Sequence, residues 1–120
     1  MYIESFKQLV VWQKSVELVE ALYKSTASLP RSEDFGLTSQ MRRAAVSIPS
    51  NIAEGKKRAT KNDFLNFLHI ADGSAAELET QIILCKKLYG KIDLQQAETL
   101  LIEVQKMLAV MIRKLATSQN

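Results

Sequence analysis

Apolar residues recur along this chain at alternating steps of three and four, which is the spacing of one face of an α-helix. Scarce glycine and proline residues separate the stretches in which the pattern holds. The sequence therefore predicts four helices, over about residues 7–26, 38–54, 61–89 and 94–116. The pattern of helix three is uninterrupted, which favours packing against nearly parallel helices. It consists of Phe64, Leu68, Ala71, Ala75, Leu78, Ile82, Cys85 and Tyr89.

Each of the other three helices also carries an apolar face that we expect to turn toward the core. These faces are made by Leu9, Trp12, Val16, Val19 and Tyr23, by Met41, Ala44, Ala45, Ile48 and Ile52, and by Leu94, Ala97, Leu101, Val104, Leu108, Met111 and Leu115. Further apolar residues of helices one and four lie outside them, namely Val11, Leu18, Leu22, Leu100 and Met107. Either the core-facing stripe is wide, or this surplus forms a surface for self-association.

Local signals mark the ends of the predicted helices. Ser5 and Gln8 have the spacing of a capping box before helix one. Pro49 removes a backbone hydrogen bond inside helix two, so we expect a kink there. Gly55 fits the C-terminal cap of the same helix.

The links between the predicted helices are short, and short links place consecutive helices side by side and antiparallel. The sequence therefore predicts an all-α fold, an antiparallel up-down-up-down four-helix bundle with helix two kinked at Pro49. A chain of 120 residues fits one domain over residues 1–120.

Composition narrows the class of protein. The hydrophobic fraction of 47% and the charged fraction of 24% are ordinary for a globular domain. No apolar run approaches the roughly 18–20 residues that span a bilayer, so no membrane association is expected. Cys85 is the single cysteine and cannot form an internal disulfide, which favours a cytoplasmic location.

The formal net charge of +3 is unevenly distributed. Residues 1–35 sum to −1, residues 67–120 to zero, and residues 36–66 to +4. The cations of the last segment are candidate phosphate contacts, although a solvated helix end explains the same pattern. No aromatic residue is interleaved with them, so contact with a phosphate backbone is favoured over stacking on bases. They are Arg42, Arg43, Lys56, Lys57, Arg58 and Lys61.

Patterns for catalysis and metal binding are missing from the sequence. The single histidine, His69, and the single cysteine cannot complete a tetrahedral metal site. Neither a glycine-rich phosphate loop nor a nucleophile motif occurs. Glu77 and Glu79 lie two positions apart and therefore point in different directions on a helix. The sequence predicts no enzyme, no cofactor and no metal.

Two further groups have structural explanations that compete with functional ones. We expect Arg42 or Arg43 to reach an acidic residue such as Glu77 across the bundle, which is an alternative to ligand contact. Residues 73–76, with the sequence GSAA, form a patch of small side chains that allows another helix to approach closely.

A resemblance to a known family rests on residues 37–58, LTSQMRRAAVSIPSNIAEGKKR. This stretch resembles the signature of a bacterial four-helix-bundle family named for the intervening sequences of 23S rRNA. The segments FKQLVVWQKSVEL and FLNFLHIADGSAAELETQI extend the resemblance over nearly the whole chain. It implies a homopentamer without an agreed enzymatic role. It also implies a distant similarity to the accessory variability determinant of diversity-generating retroelements, a barrel-shaped accessory subunit of a reverse transcriptase.

Much of the matching signature has an architectural interpretation. Asn51 can satisfy a carbonyl group freed by the kink, and Glu54 can pair with Arg58 one turn later. Besides Arg43 and Arg58, the positions that match the family's motif are Ser47, Pro49, Asn51, Glu54, Gly55, Gly73, Glu77 and Glu79.

Two hypotheses for the function follow. The first is a homo-oligomer that binds RNA or DNA, with RNA favoured, through the basic turn between helices two and three. The second is a protein-interaction scaffold or an accessory subunit of a nucleic-acid enzyme such as a reverse transcriptase. The surplus apolar residues of helices one and four motivate the second hypothesis.

Overall fold

The computed structural model describes residues 5–117. Short 3-10 helices at Phe6–Gln8 and Arg31–Glu33 precede the first and second α-helices. Within the described range no strand occurs, which confirms the predicted all-α class. The α-helices are α1 (Val10–Thr26), α2 (Leu37–Lys57), α3 (Lys61–Leu88) and α4 (Gln95–Thr117).

The four helices form an antiparallel bundle with extents of 49 × 23 × 22 Å. Helices α1 and α3 each pack against both α2 and α4. Two contacts show that α2 and α3 run in opposite directions: the Ser47 hydroxyl lies 2.8 Å from that of Ser74, and Gly55, later on α2, lies against Phe67, earlier on α3. The predicted up-down-up-down bundle is therefore confirmed. Its turn end carries the start of α1, the α2–α3 turn and the end of α4, and its link end carries the α1–α2 and α3–α4 links.

The predicted core faces of α2, α3 and α4 are confirmed. On α3, every predicted position from Leu68 to Cys85 is buried, while Phe64 and Tyr89 at the two ends are half-buried. On α4, Met111 and Leu115 are likewise only half-buried, because they lie near the end of the bundle.

The predicted core face of α1 is wrong by about one position. Leu9, Trp12, Val16 and Val19 are half-buried and Tyr23 is 41% exposed. The buried stripe of α1 instead contains Val11, Leu18 and Leu22. Leu100 of α4 is buried as well, so these four of the surplus apolar residues lie in the core. Since α1 begins at Val10 and packs against two helices, its core-facing stripe is wide. These four residues are therefore accounted for by the core of the single chain.

Close packing of α2 on α3 is set by a glycine. Helix α2 continues through Pro49 and ends at Lys57, so Gly55 lies inside the helix and is not the predicted cap. Gly55 is buried, and a Cβ atom built on it would lie 2.6 Å from Cβ of Phe67 and 3.1 Å from Cδ1 of Phe64. Such distances leave no room for a methyl group, so Gly55 permits the close approach of the two helices.

A carboxylate ties the two links together at the link end. One oxygen of Glu33 accepts a hydrogen bond from the backbone N–H of Leu37 at 3.0 Å, and the other accepts one from the Tyr89 hydroxyl. The bond from Tyr89, followed by that from Leu37, lowers the pKa of Glu33. The same bond raises the pKa of Tyr89. Burial raises the pKa of the nearby Cys85 thiol, which keeps it protonated and unreactive.

Candidate nucleic-acid interface

The α2–α3 turn is compact and brings four candidate cations together. Lys56 and Lys57 occupy the last turn of α2, where the helix dipole favours positive charge. Arg58 follows in extended conformation, and Thr60 then caps α3 by accepting from the backbone N–H of Asp63 at 3.1 Å. The chain therefore reverses within three residues and returns Lys61 to the side of Lys57.

Two phenylalanines of α3 lie beneath these cations. The guanidinium of Arg58 lies 4.9 Å from the ring centroid of Phe67, and the ammonium of Lys56 lies 5.9 Å from that of Phe64. These distances are those of cation–π contacts, which orient a cation while leaving it in solvent. The sequence analysis missed this use of Phe64 and Phe67, because both rings follow the basic segment in the sequence.

Arg58 also forms the ion pair predicted with Glu54, at 2.9 Å. The Arg58 and Glu54 side chains retain about half of their exposure, so the pair is screened by water and contributes little to stability. It leaves Arg58 accessible to a ligand. Lys57 is exposed and forms no ion pair with another residue of the 5–117 range.

The bundle adds further cations to this end. Residues 5–9, 54–65 and 110–117 lie at the turn end and contain seven basic and two acidic side chains, a net charge of +5. The rest of the chain therefore sums to −2. We call these seven cations the basic pole: Lys7, Lys56, Lys57, Arg58, Lys61, Arg113 and Lys114.

Lys7, Arg113 and Lys114 were missed because their segments are nearly neutral when counted along the chain. Only the antiparallel topology brings them beside the α2–α3 turn. Counting charges by end of the predicted bundle, rather than by segment, would have found them.

Arg42 lies away from the basic pole. Lys56 follows it by fourteen positions on α2, about 21 Å along the helix axis. Its guanidinium donates to the Thr26 hydroxyl at 3.0 Å and to the Tyr23 carbonyl at 3.2 Å, and it lies 4.3 Å from the centroid of the Tyr23 ring. These contacts close the C-terminal end of α1. The structure thus does not bring Arg42 together with the turn cations.

Arg43 is also distant from the turn, on an exposed part of α2. It borders an open depression that is also bordered by Glu77 and Ser47. Neither Arg42 nor Arg43 forms an ion pair with Glu77 in the described part of the chain, contrary to the expectation from sequence. Arg42 is already held by α1, and Glu77 instead accepts a weak hydrogen bond from Gln81 at 3.5 Å.

The remaining signature residues lie mostly where α2 meets α3. Asn51 donates to the Ser47 carbonyl at 2.8 Å and to its hydroxyl at 2.9 Å. The carbonyl that Pro49 deprives of its usual donor is that of Ala45, so Asn51 does not serve it as expected. Gly73 is exposed, and a Cβ atom there would meet nothing within 4 Å. The predicted close helix approach at residues 73–76 therefore does not involve Gly73 within this chain.

Residues 5–117 contain no group of three or more His, Cys, Asp or Glu side chains that could hold a metal ion. None of the helices in that range combines the length and apolarity that a membrane span requires.

A family model described as the 23S rRNA-intervening sequence protein matches residues 7–112. The chain belongs to this family. The match covers α1, α2, the basic turn, α3 and most of α4, but it ends before Arg113 and Lys114 of the basic pole.

A solved structure is similar in fold to this member of the 23S rRNA-intervening sequence family. It is a protein with unknown function from the S23 ribosomal protein family of Bacteroides thetaiotaomicron VPI-5482, and it aligns with a TM-score of 0.72 and 29% identity. The alignment covers 85% of this chain and 97% of that chain. No curated protein matches the chain.

Proposed function

We propose that this protein is a cytoplasmic, non-enzymatic homo-oligomer that binds the phosphate backbone of nucleic acid through its basic pole, with structured RNA as the favoured ligand. The observation that carries the proposal is the collection of a net charge of +5 at one end of a chain whose remainder sums to −2. Neutralised phosphates release their counterions, which drives binding without reading of sequence.

The contacts of the pole favour backbone phosphates over unstacked bases. Phe64 and Phe67 are half-buried and support Lys56 and Arg58, so neither ring is presented as a free stacking platform. Cations on ordered supports suit the regular phosphate spacing of a duplex or a folded RNA. The family name refers to 23S rRNA, which supports RNA over DNA as the ligand.

Oligomerisation strengthens such a site. The resemblance to the family implies a homopentamer, in which every copy contributes one basic pole. Linked sites bind a long polyanion together at high effective concentration, so weak individual contacts add up to a useful affinity.

The proposal is tested by fluorescence anisotropy with labelled structured RNA, duplex DNA and single strands over a salt series. A variant with Lys56, Lys57, Arg58 and Lys61 all changed to Gln removes the core of the basic pole. Its matched control changes Lys24, Arg31, Lys87 and Lys91 to Gln, which removes the same charge from exposed positions of the link end.

We expect the variant, but not the control, to reduce the slope of log affinity against log salt by about one for each lost phosphate contact. An equal reduction of the slope in the variant and in the control would mean that binding depends on net charge alone. Unchanged affinity in the pole variant would refute the proposed site.

A second candidate function is that of a protein-interaction scaffold or an accessory subunit of a nucleic-acid enzyme such as a reverse transcriptase. Ile83, Leu84 and Leu88 are exposed on the last turns of α3, with Leu88 at 66%, and support this alternative. Affinity purification from the native host with wild type and with a Leu84→Asp, Leu88→Asp variant tests it. A partner enzyme that co-purifies with wild type alone supports the scaffold, and the same set of proteins with both speaks against it.

A further inference from the structure

An apolar groove runs between the start of α1 and the later turns of α4. Its volume is about 410 Å³, which is enough for an aromatic side chain. Val10 and Val110 on its walls are 55% and 39% exposed. Lys106 alone carries charge among the described residues that line it, and the other lining residues are Leu9, Val10, Val11, Met107, Val110 and Met111. Methionine side chains adapt their shape to an inserted group.

The same chain carries an aromatic side chain that is fully exposed to solvent. Phe35 is 100% exposed, in the link between the 3-10 helix and α2, and the exposed Asp34 precedes it. This link is ordered by local hydrogen bonds, because the backbone N–H of Gly36 donates to the Glu33 carbonyl at 3.0 Å and the Glu33 side chain caps α2. The backbone that presents Phe35 is thus ordered before it meets a partner, which lowers the entropic cost of binding.

Charges next to the ring and next to the groove are complementary. Asp34 lies beside Phe35, and Lys106 lies beside Met107 in the groove lining. Neither Asp34 nor Lys106 forms an ion pair with another residue in the 5–117 range. The exposed apolar residues at the end of α3 fit less well, because Lys87 beside Leu88 would repel Lys106.

We propose that Phe35 of one copy of this chain inserts into the α1/α4 groove of a second copy, with Asp34 of the first copy pairing with Lys106 of the second. The inference rests on the homo-oligomer of the proposed function and names its contact. Because the anchor and the groove are different surfaces, copies can join head-to-tail, each copy giving its anchor to one neighbour and its groove to another. A buried aromatic anchor in an apolar pocket is the usual energetic centre of such an interface.

The first test measures self-association by sedimentation equilibrium for wild type, Phe35→Ala and Ile70→Ala. Phe35 makes no covering contact in its own chain, so its truncation leaves the fold intact, as circular dichroism will verify. We expect Phe35→Ala to weaken association by about 30-fold or more, which is the scale of an interface hot spot. Ile70→Ala truncates another exposed apolar side chain, which is 50% exposed and lies outside the contact, and should leave association unchanged. Full association of Phe35→Ala would overturn the contact.

The second test locates the partner surface directly. Phe35→benzoylphenylalanine keeps an aromatic anchor and, on illumination, inserts into nearby C–H bonds. We expect intermolecular cross-links on Met107 or Met111, and their loss in the Val110→Asp background. A double reversal, Asp34→Lys with Lys106→Asp, should restore at least part of the association that Asp34→Lys removes.

The outcomes separate this inference from the proposed function. An oligomer whose cross-links map outside the groove overturns the contact and leaves the oligomer standing. A chain that is monomeric at all concentrations overturns the contact and the homo-oligomer together. The anisotropy comparison of the pole variant with its control is a separate measurement, so neither result decides whether the basic pole contacts phosphate.

Discussion

The hydroxyl group of Tyr89, in the link after α3, donates a hydrogen bond to the carboxylate of Glu33, in the link before α2. The same carboxylate accepts from the N–H of Leu37 and so caps α2. One ionised side chain therefore joins the two links of the link end and holds the segment that presents Phe35.

Removing the Tyr89 hydroxyl should destabilise the fold in a pH-dependent way. The folded protein holds the pKa of Glu33 below its ordinary value, so the bond contributes stability above about pH 4.3 that is lost as pH falls further. It raises the pKa of Tyr89, so this contribution is also lost as pH rises beyond about 10. We expect Tyr89→Phe to lower the free energy of unfolding at pH 7, with a smaller difference at both extremes.

Urea denaturation of wild type and Tyr89→Phe from pH 3 to pH 10.5 measures this difference. Tyr23→Phe is the control, because Tyr23 is 41% exposed and contacts Arg42 through its ring rather than its hydroxyl. A Tyr89→Phe deficit that is the same at pH 3 and pH 7 would contradict the role assigned to the carboxylate.

Gly55→Ala should destabilise the bundle despite the better helix propensity of alanine. Propensity favours alanine by about 1 kcal/mol. Against this, the new Cβ atom would lie 2.6 Å from Cβ of Phe67, and overpacking of this kind typically costs about 1–3 kcal/mol. We expect a net loss of up to about 2 kcal/mol in urea denaturation, together with displacement of Phe67. The cation–π contact between Arg58 and the Phe67 ring should weaken as the ring moves.

Gly73→Ala should have the opposite effect. Gly73 is exposed in the middle of α3, and an added Cβ atom meets nothing within 4 Å. Replacing an exposed helical glycine with alanine typically stabilises by about 0.5–1 kcal/mol. Urea denaturation at low protein concentration, where the single chain predominates, measures the change. Destabilisation there would mean that α3 is strained in a way that the fold does not explain.

The buried positions could be predicted from the sequence where a helix packs into the core through one narrow face. The alternating pattern of α3 specified its buried positions from Leu68 to Cys85 correctly, because its apolar stripe is regular and flanked by polar residues. The face of α1 was misplaced, because apolar residues surround Leu18 on most sides and periodicity alone cannot centre a wide stripe. Gly55 was read as a cap, because a glycine near a helix end has that local meaning far more often than close packing.

The candidate site was only partly visible in the sequence. Lys56 to Lys61 form a local cluster and were found, whereas Lys7, Arg113 and Lys114 join them through tertiary structure alone. Adjacent positions also diverge: Arg42 turns toward α1 and Arg43 toward solvent, as two residues about 100° apart on a helix must. Residues that are clustered along one helix in the sequence therefore need not share a surface, and a site predicted from such a cluster includes too many of them.

Arg42 provides the sharpest contrast with the basic pole. Its guanidinium bonds to Thr26 and Tyr23 and stacks on the Tyr23 ring, so Arg42→Gln should reduce the free energy of unfolding by about 1–2 kcal/mol. Arg42→Lys should restore little of it, because an ammonium group cannot reproduce the planar fork. At a temperature where Arg42→Gln is fully folded, its affinity for structured RNA should stay within about twofold of wild type. Loss of affinity without loss of stability would instead make Arg42 a phosphate contact, and the nucleic-acid surface would then extend along α2 to the link end.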